Sequence, residues 1–374
     1  METAKDKTIL ISGASFAGLS SAYWMHKMGY KITIVETAPA IKKGGTPVNI
    51  LENTINVVKR MGIFDQISAN KLRMEKLEFK NADDSTARSE FTQKNDTDGN
   101  EEEYEIERNI LLDIIGELVK GDAEFIFAES ITSLTEAADK VEVSFRNSPT
   151  RHFDLVLGCD GIHSVVRKLW FGEEKQFSHF LQTYFSITIV EKLLIAENTT
   201  QLYSEPGKTI MLNAYNGKTD ICLAYFSAEE IPYDYRNERQ QREMIIGAFT
   251  GSGWRTMEIL KEVARSQTFY FDKLCQMKMP SWTKGRVALV GDAGYCASPA
   301  AGRGGSLAID GASALADAFE KCNGNFEMAF KEYNNSFRPF IEEVQAGVVK
   351  FGLDVLIPKT YEAIMQRNKN GFNF

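Results

Sequence analysis

The sequence predicts an α/β fold: a parallel sheet built around a βαβ unit, interleaved with a mainly antiparallel β region and finished by a C-terminal helix. Three observations carry this. The chain opens as strand, tight turn, helix and strand, with Thr8–Ser12, a turn from Gly13 to Gly18, an apolar helix through Met28, and Lys31–Glu36. From Phe180 to Tyr270 the texture changes to strand-like runs separated by Gly and Asn turns. After Ser281 it returns to strand, glycine-rich turn and long helices, so distant segments must complete the first sheet.

Each element follows from local pattern. Parallel strands need a long crossover, which the helix between Gly18 and Gly29 supplies. It carries Leu19, Ala22, Tyr23 and His26 at near-helical spacing, and Gly29 is a usual helix stop. Lys42, Lys43, Gly44 and Gly45 form a basic turn. Asn53 to Met61 reads as a helix and Lys76 to Lys80 as a strand, and the polar, acidic stretch Asn81 to Glu103 reads as a surface loop or hairpin tip. Tyr104 to Val119 reads as a helix, followed by strands at Glu124–Phe127 and Lys140–Phe145, the latter alternating as a half-buried strand should. Tyr184–Val190, Thr209–Leu212 and Ile221–Ala228 are the strand runs of the β region. Phe337 to Met365 is amphipathic, with Phe340, Val344, Val348, Phe351 and Val355 near one helical face. It reads as a helix packed across both domains, or more sharply as one that gates a pocket.

Length and composition narrow the function classes. At 374 residues, one large or two interleaved domains are expected. The net charge of −8, with Lys and Arg scattered, offers no basic stripe for nucleic acid and no polybasic anchor for acidic lipid. The polar start runs straight into a strand, leaving no room for a secretion signal, and no segment is apolar enough to span a bilayer. Five cysteines, odd in number and without CxxC spacing, argue against a disulfide framework and a zinc site, so reduced thiols and a cytoplasmic protein are expected. Cys159 and Cys296 read as small buried apolar residues. His26, His152, His163 and His179 show no ligand spacing and read as structural or surface residues, so no metal site and no catalytic side chain are expected.

Three turns point at one ligand. Gly13, Ser15 and Gly18 form a GxSxxG variant of the dinucleotide fingerprint, with Phe16 and Ala17 inside it and Ser15 where a second Gly is usual. A pyrophosphate would sit at the helix N-terminus, and Glu36, ending the next strand, stands where an acid grips ribose hydroxyls. In the second turn an apolar strand from Asp154 delivers Asp160-Gly161, followed by His163, Ser164 and Arg167. In the third, Arg286 to Val290 leads to Gly291, Asp292 and Gly294, and then Pro299, Gly302, Arg303, Gly304 and Gly305 run into a helical stretch from Ser306 to Phe319. Such a helix start can hold negative charge on a second part of the same ligand.

These three motifs, in this order and over nearly the whole chain, resemble those of the class A flavoprotein monooxygenases, the para-hydroxybenzoate hydroxylase family. The stretch from Trp282 to Pro299 is most similar to the tetracycline-inactivating flavoenzymes within it. The resemblance implies a Rossmann-like FAD-binding domain from 1–75, 101–179 and 271–336, a substrate-binding β domain from 76–100 and 180–270, and a helical segment 337–374 bridging them. It implies that Gly13, Ser15, Phe16, Ala17, Gly18 and Glu36 hold the ADP half of FAD. Lys42 would meet the phosphates, and Gly45 would lie beside the flavin ring. Arg108 would touch the cofactor, Asp160 would belong to a motif serving FAD and NAD(P)H, and Gly291 and Asp292 would meet the ribityl chain. Pro299, Gly302, Gly304 and Gly305 would pass along the pyrimidine edge. The family usually has Gln where Arg303 stands and Asn where Ser306 stands, so here the resemblance implies backbone N–H contacts to the flavin and no family side-chain contact at these two positions.

The implied reaction is hydroxylation of an aromatic or enolic small molecule by O2, with NAD(P)H, NADPH favoured, as transient reductant. In the family this proceeds through a flavin C4a-hydroperoxide, which survives only if water is excluded. The Phe180 to Tyr270 region, rich in Phe, Tyr and Leu, is therefore expected to form an apolar lid. A tetracycline or similar polycyclic phenol is the expected substrate and a monomer the expected state. An FAD-dependent dehydrogenase or oxidase, and a non-catalytic flavin or small-molecule binding protein, stay open as alternatives.

Overall fold

Ile9, Leu10 and Ile11 are wholly buried, as a strand covered on both faces requires, and Thr8–Ser12 lies inside a six-stranded sheet. The computed structural model describes residues 4, 6–91, 103–137 and 139–371, without the side chains of residues 350 and 351. The sheet runs Thr283–Lys284, Val287–Leu289, Leu155–Gly158, Thr8–Ser12, Lys31–Glu36 and Ala123–Phe127. Every neighbouring pair is parallel except the first, a short hairpin. Distant segments do complete the N-terminal βαβ unit.

The crossover helix spans Phe16–Lys27 and packs against the helix Gly304–Lys321. It is buried from Phe16 to Ala22 and again at Trp24 and Met25, while Tyr23 is half-buried and His26 is exposed. The stripe expected at Leu19, Ala22, Tyr23 and His26 is therefore not its core face. A helix held between a sheet and a second helix is apolar nearly all round, which blurs any single stripe.

Elsewhere the outline differs from the sequence reading in specific places. The helix expected from Tyr104 begins only at Arg108, because Glu103–Ile106 is a strand antiparallel to Val48–Leu51. Within the stretch read as a polar loop, Thr86–Phe91 is a strand antiparallel to Lys76–Lys80, and residues 92–102 lie outside the described residues. It is an edge strand, where polar composition is tolerated because one side faces solvent. Ile131–Glu136, Val141–Phe145 and Arg151–Phe153 form a small antiparallel sheet.

A seven-stranded sheet runs Thr268–Met277, Ser178–Val190, Lys218–Phe226, Lys208–Tyr215, Thr199–Glu205, Lys76–Lys80 and Thr86–Phe91. It is antiparallel except where Thr199–Glu205 meets Lys76–Lys80. Two helices not anticipated from the sequence, Glu238–Phe249 and Thr256–Arg265, build a second core on one face, where Tyr184, Ile210 and Leu223 meet Ile245, Phe249 and Val263. By the strand pleat, the opposite face carries Phe185, Ile187, Met211, Cys222 and Tyr270.

The C-terminal helix starts earlier than expected, at Phe326, and runs to Gly347 with Pro339 inside it. It continues as a π-turn at Val348–Gly352 and a short turn Leu353–Leu356, and a separate helix follows at Tyr361–Asn370. Pro358 cannot supply a helical N–H and disfavours helix at Ile357, which divides the stretch read as one helix. Among the described residues no helix is long and apolar enough to cross a membrane.

Candidate active site

The three turns meet at the C-terminal ends of three adjacent strands, the edge of a parallel sheet where ligands collect. Gly13 has φ +103°, and a Cβ there would lie 2.5 Å from the carbonyl oxygen of Cys159, so the first turn is pressed onto the second. A Cβ on Gly291 would lie 3.1 Å from the Cβ of Ala17, which joins the third turn to the first. Buried Arg167 donates from Nη1 to the carbonyl oxygen of Ala293 at 2.9 Å, tying the second to the third.

Two helices begin at this edge without side-chain caps. Ser15 precedes Phe16–Lys27 but makes no capping bond; its Oγ instead accepts from Arg108 Nη2 at 3.0 Å. Arg303 precedes Gly304–Lys321 and caps nothing. The first N–H groups of both helices thus keep their donor capacity and the positive end of the dipole. Between them Arg108 lies with its guanidinium 4.6 Å from the centre of the Phe16 ring, and Gly45 packs against its Cδ. Among the described residues no carboxylate is within ion-pair distance of Arg108, whose pKa is lowered by burial with Asp292 opposing. Lys43 is engaged with Asp113 at 2.7 Å, whereas Lys42 is exposed and makes no ion pair among the described residues.

The three acids differ. Glu36 accepts from the N–H groups of Ala14 at 2.9 Å and Ala38 at 2.8 Å, steadying the first turn and leaving lone pairs for hydroxyl donors. Asp160 is engaged by its own segment and by the first strand: it accepts from Ser164 Oγ, the N–H groups of Val165 and Val166, and Ser12 Oγ, so it organises the second turn and the start of Val165–Trp170. Asp292 is exposed by area, yet burial raises its carboxyl above the ordinary range, against the Cys296 thiol and the charge of Arg108. Both hold when a side chain lines a recess walled by protein.

In the third loop, Gly302 adopts φ +64° and donates its N–H to the Pro299 carbonyl at 3.0 Å. Gly302 and Gly304 face open space, and a Cβ on Gly305 would come within 2.5 Å of Val48, so close packing requires a glycine there. Ser306, one of the departures from the family pattern, is buried and its hydroxyl donates to the Asn49 carbonyl. It pins the helix start to the strand Val48–Leu51.

The sequence reading missed a polar group opposite these turns. Tyr270 and Asp272 lie on the inner side of Thr268–Met277, and His163 bridges Asp272 and Glu174. An acid at an inward position of an aromatic strand is a usable sequence signal, because charged groups are rarely buried unpaired. The remaining histidines, His26 and His152, pair with Asp122 and Glu142 near the surface, and His179 is exposed. All five cysteines are free, and Cys159 and Cys296 are buried. Among the described residues no cluster of His, Cys, Asp and Glu could hold a metal ion.

Unpaired helix dipoles, a half-buried arginine without a carboxylate and a recessed acid fit a long ligand with anionic phosphates and a hydroxylated chain, as FAD has. The comparisons with known proteins agree. A family model described as FAD binding domain matches residues 6–344. A flavin-dependent monooxygenase of Legionella longbeachae is 33% identical over 353 residues, covering 94% of this chain and 89% of that protein. The crystal structure of tetracycline destructase Tet(51) is 32% identical with a TM-score of 0.85, covering 97% of this chain and 95% of its own. That of Tet(55) is 31% identical with a TM-score of 0.86, covering 99% and 95%. The chain belongs to the FAD-binding flavin-dependent monooxygenases, the class A family whose three motifs it carries.

Proposed function

We propose that this monooxygenase uses NAD(P)H, with NADPH favoured, to hydroxylate a polycyclic phenol or enol of the tetracycline class. The observation that carries the reading is a cleft with unlike walls. On one side lie Arg108, Asp292 and two uncapped helix starts; on the other lies the inner face of the seven-stranded sheet, where Phe185, Ile187, Met211 and Cys222 form an apolar patch bordered by Asn213, Asp220, Tyr270 and Asp272. Similarity to tetracycline destructases along almost the whole chain supports the substrate class.

In this reading the turn from Gly13 to Gly18, with Arg108 and Lys42, holds the diphosphate, Glu36 the ribose and Asp292 the ribityl hydroxyls. The loop Pro299 to Gly304 and the following helix dipole hold the electron-rich end of the flavin. Bound and reduced, FAD supplies oxygen activation and delivery of one oxygen atom to an electron-rich carbon. Ile187, Met211 and Cys222 then keep water from that carbon and give a flat ring an apolar roof. The C-terminal stretch closes one side of the roof, since Thr209 Oγ1 donates to the Leu356 carbonyl at 2.6 Å and Gly207 N–H to the Pro358 carbonyl at 2.8 Å. The segments of the parallel sheet thus serve as cofactor domain, the seven-stranded sheet as substrate domain and the C-terminal pieces as bridge.

The test is NADPH oxidation and oxygen uptake by the FAD-loaded protein with and without tetracycline, followed by mass spectrometry. Tetracycline-stimulated uptake and a product heavier by one oxygen atom are expected. Uptake that yields only hydrogen peroxide would make the protein an oxidase, and no turnover would make it a binding protein.

A further inference from the structure

Beside the apolar patch of the roof stands Tyr270, a polar group whose hydrogen-bonding sense is fixed. Tyr270 lies opposite Ile187 on the sheet edge and is 42% exposed, although burial and Asp272 hold its phenol well above the ordinary tyrosine range. By strand alternation its side chain shares the inner face with Ile187 and Cys222, so its exposure is toward the cleft. Its hydroxyl lies 2.9 Å from Asp272 Oδ2. Buried Asp272 also has His163 Nε2 at 3.2 Å from Oδ2, and its Oδ1 accepts from the Lys273 N–H at 2.8 Å and from the Tyr233 hydroxyl. His163 has a carboxylate on each ring nitrogen, Glu174 being 2.9 Å from Nδ1, so both nitrogens donate. Asp272, an ionised carboxylate beside that imidazolium, can only accept. The Tyr270 proton therefore points at Asp272, and the phenol oxygen presents lone pairs to the cleft.

We infer that Tyr270 is a specificity-determining residue whose hydroxyl oxygen, its proton committed to Asp272, accepts a hydrogen bond from a protonated phenol or enol O–H of the substrate. The inference rests on the proposed function for the presence of such a substrate. An ether or phenolate at this point would set lone pair against lone pair and leave the acceptor unsatisfied.

The test uses FAD-loaded protein and flavin-fluorescence titrations with tetracycline and with the matched probes 2-naphthol and 2-methoxynaphthalene. The parent should prefer the naphthol about tenfold. Tyr270→Phe should keep FAD, lose that preference, and bind tetracycline about tenfold more weakly. In Asp272→Asn the Lys273 N–H keeps its oxygen acceptor at Oδ1, so the amide nitrogen takes the Oδ2 position and donates to Tyr270, while His163, left with Glu174 as its one carboxylate, goes neutral and accepts the second amide hydrogen at Nε2. The phenol proton then turns to the cleft, and the preference should reverse toward the ether. Equal binding of naphthol and ether by the parent, or unchanged preference and tetracycline affinity in Tyr270→Phe, would overturn the inference while leaving the proposed function in place. Failure of the parent to bind tetracycline and naphthol alike would remove the proposed substrate class, and the inference with it.

Discussion

His163 Nε2 lies 3.2 Å from Asp272 Oδ2, which joins the turn after Leu155–Gly158 to the edge strand of the seven-stranded sheet. Burial alone would lower the His163 pKa, but hydrogen bonds to Asp272 and Glu174 and their charges raise it from 6.5 to about 9. A raised folded-state pKa contributes stability that is fully present below the unfolded value and disappears as pH rises through the folded one. The melting temperature should therefore fall between pH 6.5 and pH 9 and above. His163→Gln should flatten that slope and be less stable at neutral pH, by on the order of 2 kcal/mol. Melting curves across this range check it, and an unchanged slope in the variant would refute the linkage.

Gly13→Ala should damage the site through the backbone. Its Cβ would meet the Cys159 carbonyl at 2.5 Å in a φ +103° conformation that side chains rarely adopt. A loss of about 2–4 kcal/mol in chemical denaturation is expected, with FAD lost on purification. Full stability in the variant would mean the first two turns are not pressed together as described.

Arg108→Met should separate cofactor binding from stability. The guanidinium is desolvated without a carboxylate partner, so the FAD-free protein should be as stable as the parent or more so. FAD should bind about 10- to 100-fold more weakly, as loss of a charge-assisted hydrogen bond implies. Calorimetric titration with FAD and melting of the FAD-free protein measure the two effects; parental affinity would remove Arg108 from the phosphate site.

Ser306→Ala should do the opposite. The hydroxyl is buried against the Asn49 carbonyl, so its loss should cost about 1 kcal/mol in denaturant unfolding. The flavin absorption spectrum and FAD affinity should not move. A shifted spectrum would show that Ser306 acts on the cofactor directly.

Much of the fold is visible in short stretches of sequence because its determinants are local. Thr8–Ser12, Lys31–Glu36 and Lys76–Lys80 read correctly from apolar content and bounding turns. Thr86–Phe91 did not, since an edge strand has no second partner demanding apolar residues. Glu238–Phe249 and Thr256–Arg265 were hidden among strand-like neighbours, and their amphipathic character acquires meaning only when a sheet face is there to receive it.

The glycine turns, the acids at Glu36 and Asp292 and the family they mark were determined by sequence alone, because a tight turn before a helix needs particular residues at adjacent positions. Only the tertiary structure decided what those residues face. It turned Asp160 inward to its own helix, gave Gly305 to Val48, and seated Ser306 on Asn49. It also set His163 against Asp272, 109 residues away. Such pairings depend on which chain segments pack together, and packing minimises buried unpaired polar groups over the whole molecule, which no local spacing records.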